Sequence, residues 1–82
     1  MNQLARLRWQ CRRGTKELDL LLQRYLETGY LLADEKEKAL FVELLELEDD
    51  ELLAVLMGKL EVEMEEMKFL IEKIRAFAVG RV

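Results

Sequence analysis

The sequence predicts an all-α fold: a compact bundle of about five short helices in a single domain over residues 1–82. Proline is absent and glycine occurs only four times, so few residues interrupt a helix. Hydrophobic residues make up 51% of the chain, and leucine recurs at spacings of three and four, the period of an amphipathic helix. No stretch shows the alternation of β-branched and polar residues that is typical of a strand.

The first helix is predicted over residues 3–12, with Asn2 as its N-cap. Three residues share one face of the helical wheel and predict its buried side: Leu4, Leu7 and Cys11. Trp9 falls on the opposite side, flanked by Arg6 and Arg13, where a guanidinium could stack on the indole ring. The alternative, that Trp9 covers a neighbouring helix from the edge of the apolar stripe, is given equal weight.

Gly14 is predicted to form a corner between the first helix and a second helix over residues 15–28. With Gly14 as N-cap, Glu17 occupies the third helical position and can complete half of a capping box. The buried face of the second helix is predicted from five residues at helical spacing: Leu18, Leu21, Leu22, Tyr25 and Leu26. Gly29 is expected to end this helix, and residues 30–32 to form a packed apolar connector.

Three further helices are predicted over residues 35–46, from Asp49 to Gly58, and over residues 60–77. Asp34 is the predicted N-cap of the first of these helices and Asp49 that of the second, which is expected to end at Gly58. Their apolar stripes are Leu40, Phe41, Leu44 and Leu45; then Leu52, Leu53, Leu56 and Met57; then Met64, Met67, Leu70, Ile71, Ile74 and Phe77. Residues 79–82 are expected to fray.

The composition argues against an enzyme. The chain has neither histidine nor serine, which removes the usual general base and the commonest nucleophile, and no Cys–His metal site can be built. A single cysteine excludes an internal disulfide and favours a reducing compartment. No secretory signal or membrane span of about 18 apolar residues is found, so we expect a cytoplasmic protein without membrane insertion.

Charge is segregated along the chain. Residues 1–16 carry five basic residues and no acidic one, while the net charge of the whole chain is −4. A basic surface on an acidic protein indicates a partner with acidic groups. On these grounds Arg8, Trp9 and Arg12 are candidate partner-binding residues, whereas no cofactor-binding, metal-binding or catalytic residue is predicted.

The motif Arg13-Gly14-x-x-Glu17 is explained on structural grounds alone by a corner followed by a helix cap. In its context, however, it resembles the signature of the SdhE-type flavinylation factors of succinate dehydrogenase. That context comprises the preceding Trp9-x-Cys11-Arg12, the following Leu18-Asp19, the length of the chain and the order of its helices. The leucine-rich acidic segment from Leu44 to Met57 is similar to that family's second characteristic stretch. Asp50 departs from the pattern, because many relatives have proline there, but a first-turn position accepts either residue.

The resemblance implies an assembly factor that binds the flavoprotein subunit of succinate dehydrogenase, and in some bacteria of fumarate reductase. It implies that the factor promotes covalent attachment of FAD in that subunit while binding no FAD tightly itself. Arg13, Gly14 and Glu17 are then the signature residues of the contact surface. We expect a monomer that binds no nucleic acid.

Two other functions remain open at this point. One is an antitoxin-like or regulatory protein-interaction module, a role also proposed for some relatives. The other, less favoured, is a nucleic-acid-binding helical module, suggested by the basic residues beside Trp9. Against it stand the net charge of −4 and the lack of a second basic element that would follow a phosphate backbone.

Overall fold

The computed structural model describes residues 3–78, which form six α-helices and contain no strand. In chain order these are α1 (Gln3–Gln10), α2 (Lys16–Glu27), α3 (Gly29–Leu32), α4 (Glu35–Leu44), α5 (Asp49–Leu56) and α6 (Glu65–Ala78). Five of them have eight residues or more and α3 is a single turn, so the predicted all-α fold is confirmed. Within this described part of the chain, no helix is long and apolar enough to cross a membrane.

The core lies where α2 meets α6, with α3, α4 and α5 packed on α6 and α1 packed on α2. The predicted apolar stripes of α2 and α4 are confirmed, since every residue of both is buried. In α5 and α6 five of the ten predicted stripe positions are buried, namely Leu52, Leu56, Leu70, Ile71 and Ile74. Leu53, Met67 and Phe77 are partly buried, and Met57 is 38% exposed. Spacings of three and four residues therefore locate most of the core, because a helix presents one face to its neighbours.

Two predicted helix boundaries are confirmed in detail. Asp34 is the N-cap of α4, and its side chain accepts a hydrogen bond of 2.9 Å from the backbone N–H of Glu37. Gly58 follows the end of α5 with a φ of +77°, the left-handed conformation that glycine adopts at low cost. These local signals identify the boundaries because the cap and the stop each act within a few residues.

Two predicted N-caps are wrong by one position. Gly14 has a φ of +78°, whereas an N-cap residue requires extended backbone, and Thr15 with φ −112° and ψ 124° takes that place. Glu17 is consequently the second residue of α2 and the expected capping box is not formed. Glu48, and not Asp49, is the N-cap of α5. The carboxylate of Asp49 instead accepts a hydrogen bond from the guanidinium of Arg13.

Several other boundaries differ from the prediction. α1 ends at Gln10, two residues early, and α6 begins at Glu65, five residues late. The late start has a local cause: the backbone N–H groups of Lys59 and Leu60 both donate to the carbonyl oxygen of Ala54, so this backbone completes the end of α5. Met64 therefore precedes α6 and is 48% exposed instead of buried. The predicted cap Asn2 and the predicted frayed tail 79–82 lie outside the described residues.

Residues 29–32 form a helical turn that the sequence indicated only as a connector. Tyr30 is buried as expected, but Leu31 and Leu32 are exposed. Gly29 does not end α2 through a left-handed backbone. It is required by packing, because a Cβ atom there would lie 2.6 Å from Cδ1 of Tyr25 and 2.8 Å from Cε2 of Phe77.

A polar network joins three helices at the margin of the core. The hydroxyl of Tyr25 in α2 donates a hydrogen bond of 2.5 Å to Oε2 of Glu37 in α4, and Nζ of Lys73 in α6 donates one of 2.8 Å to Oε1 of the same carboxylate. Burial, and next the hydrogen bond to Glu37, raise the pKa of Tyr25. Both carboxylate oxygens of Glu37 are thus used inside the protein.

Candidate partner-binding surface

The centre of the candidate site is a contact between two loops that are distant in sequence. Arg13, in the loop between α1 and α2, points its guanidinium into the loop between α4 and α5. Nη1 donates to the carbonyl oxygen of Leu47 at 3.0 Å and to Oδ1 of Asp49 at 3.2 Å, and Nη2 donates to the carbonyl oxygen of Leu45. The Arg13 side chain is only 14% exposed. It thus satisfies carbonyl groups that follow the C-terminal end of α4, where a cation is also favoured by the helix dipole, and it binds the first residue of α5.

The backbone of Arg13 is held as firmly as its side chain. Its N–H donates a hydrogen bond of 2.7 Å to Oδ1 of Asp19, which lies in the first turns of α2. Nε of the same residue donates to the carbonyl oxygen of Gln10 at 2.9 Å, at the end of α1. The chain on the N-terminal side of Gly14 is therefore tied to both helices that the corner connects.

Gly14 itself forms an open point of the surface. It is exposed, and apart from its two chain neighbours no described residue has an atom within 4 Å of the place where a Cβ atom would stand. Its φ of +78° is disfavoured for residues with a side chain, by about 1–2 kcal/mol. Glycine is thus required here by the backbone, and the space beside it is free for another molecule.

Glu17 lies on the exposed side of the first turn of α2. Within the part of the chain that the structure describes, its carboxylate makes no hydrogen bond and no ion pair. An acidic residue in the first turn is favoured by the helix dipole, which accounts for the charge at this position. The dipole leaves both carboxylate oxygens accessible as acceptors.

The other predicted residues lie on the outer face of α1 and just beyond its C-terminal end. Arg8, Trp9 and Arg12 are exposed and, together with Ala5, line a shallow cleft. Trp9 is 73% exposed, so the alternative that it covers a neighbouring helix is wrong. The expected flanking by Arg13 is not observed either, because that guanidinium is turned towards the α4–α5 loop. The cleft thus presents an indole ring and two arginine side chains, and neither guanidinium forms an ion pair with a residue in the range 3–78.

Cys11 belongs to the core beneath this corner. It is fully buried, as predicted from the apolar stripe of α1. Burial raises the pKa of its thiol to about 12; the charge of Arg13 opposes the shift and that of Asp19 adds to it. The thiol is therefore neutral at physiological pH. In residues 3–78, no group of three or more His, Cys, Asp and Glu side chains is arranged to hold a metal ion.

The structure brings Gly14 and Glu17 to one exposed corner, places Arg8 and Trp9 on the helix that leads into it, and places Arg12 in the loop between them. It removes Arg13 from that surface. Sequence reasoning missed the groups on the other side of Arg13, namely Asp19, Asp49 and the carbonyl groups of the α4–α5 loop. The available signal was the pairing of a basic segment with an acidic one: the stretch from Ala39 to Gly58 has six acidic residues and no basic one.

The fold and the site define a small all-α protein with an exposed, internally braced corner. The family model described as "Flavinator of succinate dehydrogenase" matches residues 5–78. The chain belongs to this family.

Several curated relatives bear the name FAD assembly factor SdhE. The protein of Shewanella oneidensis is 49% identical over 55 residues, which cover 67% of each chain. That of Coxiella burnetii is 40% identical over 70 residues, or 85% of each chain. That of Methylococcus capsulatus is 41% identical over 76 residues, or 93% of this chain and 92% of the relative.

Proposed function

We propose that this protein is an FAD assembly factor that binds the flavoprotein subunit of succinate dehydrogenase and promotes covalent attachment of FAD to it. The proposal extends to the corresponding subunit of fumarate reductase. Membership of the flavinator family supports it, and so do the names of the relatives. The structural observation that carries it is the exposed, internally braced corner at Gly14.

In this proposal the partner contacts Gly14, Glu17, Arg8, Trp9 and Arg12. The open space at Gly14 lets a partner backbone approach closely. The carboxylate of Glu17 accepts hydrogen bonds from the partner, and charge-assisted bonds of this kind are about twice as strong as neutral ones. The cleft on α1 adds an aromatic contact between two cations, which suits a partner surface with acidic groups.

The chemistry of flavin attachment belongs in this proposal to the flavin and the flavoprotein. The factor is not an enzyme: it holds the flavoprotein in a productive conformation and retains no FAD of its own. We propose further that it works as a monomer in the cytoplasm and binds no nucleic acid.

The experiment is in-gel flavin fluorescence of the succinate dehydrogenase flavoprotein in cells that lack this gene. Covalent flavin should be lost, restored by the wild-type protein and poorly restored by Glu17→Ala. Glu27→Ala is the matched control, because Glu27 is an exposed carboxylate at the other end of the same helix. Immunoblots that show equal amounts of all variants separate loss of function from loss of protein.

Unchanged covalent flavin in the deletion strain would refute the proposed function. In that case, co-purification of a toxin or a regulatory partner would support the interaction-module alternative. Binding of DNA or RNA with a strong salt dependence would support the nucleic-acid alternative.

A further inference from the structure

We infer that Arg13 is a positioning residue: it holds the Gly14 corner in the conformation that the partner recognises and does not itself contact the flavoprotein. The inference rests on the proposed function and refines it. It divides the Arg13-Gly14-x-x-Glu17 motif into an internal support, Arg13, and an external surface, Gly14 and Glu17.

Most hydrogen-bond donors of the Arg13 side chain are used inside the protein. A guanidinium has five N–H groups. In Arg13 they make four hydrogen bonds inside the protein, to Gln10, Leu45, Leu47 and Asp49. Only one N–H group is left, and the side chain is only 14% exposed. Arg13 therefore cannot offer a partner carboxylate the bidentate pair of hydrogen bonds that an interface arginine provides.

The hydrogen bonds of Arg13 connect the corner to other parts of the fold. They join the corner to the end of α4 and the start of α5, while the Arg13 N–H holds the same residue to Asp19 in α2. The left-handed backbone of Gly14 comes directly after this anchored residue. A corner fixed before binding avoids the ordering cost that a loose loop pays during association.

Arg24 provides a matched comparison. It has the same side chain, is exposed in the last turn of α2 and lies outside the proposed contact surface; its guanidinium makes no hydrogen bond or ion pair with the described residues. Replacement by lysine keeps the charge at either site and removes the planar fork of donors. At Arg13 this substitution breaks the internal brace; at Arg24 it alters only the surface.

The test is the kinetics of binding to the purified flavoprotein subunit, immobilised on a sensor surface, for the wild type, Arg13→Lys and Arg24→Lys. A positioning role reduces the fraction of molecules in the competent conformation. For Arg13→Lys we therefore expect an association rate lower by about tenfold, a dissociation rate within about twofold of the wild type, and an unchanged salt dependence. Arg24→Lys should keep its association rate within about twofold.

A second readout needs no partner. In the free Arg13→Lys protein, amide hydrogen exchange should accelerate in residues 45–49 and at the corner, while the central turns of α2 keep their protection. If Arg13→Lys does not fold, Asp49→Asn removes the charge from one of the four acceptors, and its association rate should fall by about two- to threefold.

Three results would overturn the inference: a faster dissociation of Arg13→Lys with normal association, unchanged hydrogen exchange at residues 45–49, or an Asp49→Asn protein that associates like the wild type. Failure of the wild-type protein to bind the flavoprotein would instead refute the proposed function. The exchange experiment would still decide whether the brace exists.

Discussion

Nη1 of Arg13 lies 3.2 Å from Oδ1 of Asp49, although 36 positions separate the two residues in the sequence. This ion pair, with the carbonyl groups beside it, connects the basic N-terminal segment to the acidic start of α5. Because the Asp49 side chain is 47% exposed, the ion pair alone contributes little to stability, on the order of 1 kcal/mol or less. Its consequence is geometric: it orients the corner that carries Gly14 and Glu17.

The two left-handed glycines allow a controlled test of the corner. Gly14→Asn and Gly58→Asn both place an asparagine at a φ near +78°, which asparagine tolerates better than other residues do. Each should lower the free energy of unfolding by less than about 1 kcal/mol. Only Gly14→Asn should weaken binding to the flavoprotein, by about tenfold or more, because its side chain fills the open space. Equal affinities of the two variants in a titration would contradict this role of Gly14.

Gly29→Ala should destabilise the protein despite the better helix propensity of alanine. The added methyl group would lie 2.6 Å from the ring of the buried Tyr25 and 2.8 Å from that of Phe77. Overpacking of this kind costs about 1–3 kcal/mol, which exceeds the gain of about 1 kcal/mol from propensity. Urea denaturation measures the difference. A variant as stable as the wild type would show that these rings can move apart.

Two of the observed N-caps, Asp34 and Thr15, differ in whether the side chain makes a capping hydrogen bond. Asp34 accepts a hydrogen bond from the backbone of Glu37, whereas the Thr15 side chain makes no capping bond. Asp34→Ala should therefore cost about 1 kcal/mol and Thr15→Ala clearly less. Thermal and urea unfolding of both variants provide the comparison, and the reverse order would contradict the observed capping.

Alkaline pH should destabilise the fold. Burial raises the pKa of Cys11 from 9.0 to about 12, so above pH 9 the unfolded chain releases this proton while the folded protein retains it. Stability is therefore complete below pH 9 and falls as the pH rises towards 12, with a slope approaching about 1.4 kcal/mol per pH unit. The raised pKa of Tyr25 adds to the loss in the upper part of this range.

Cys11→Ala provides the control for this pH dependence. The variant should be less stable at neutral pH, because it leaves a cavity, but its stability should change less between pH 9 and pH 10. In the wild type the thiol should react with a thiol reagent only as fast as the corner opens. Rapid labelling of the native protein at pH 8 would contradict the buried, neutral thiol.

The sequence allowed the fold class, the buried stripes of α2 and α4, the cap at Asp34 and the stop at Gly58 to be predicted, because each depends on residues within two turns of one another. It did not allow the role of Arg13 to be predicted, because the acceptors at Leu45, Leu47 and Asp49 become neighbours only after the chain has folded.

The shifted N-cap of α2 and the exposed Leu32 were also not predictable from the local sequence. The choice of Thr15 over Gly14 as N-cap depends on the backbone angle of Gly14, next to a residue held by Asp19. Leu32 is 87% exposed although it lies in an apolar run, because a single turn such as α3 cannot bury all of its sides. Tertiary contacts decide these cases, and the local pattern does not contain them.

The most direct test of the central proposal is a hydrogen-exchange footprint of this protein with and without the purified succinate dehydrogenase flavoprotein subunit. The account predicts new protection at residues 12–17 and along α1, and none in the segment from Gly58 to Met64. Protection confined to that segment would show that the corner is not the contact surface. A footprint identical to that of the free protein would contradict binding to the flavoprotein altogether.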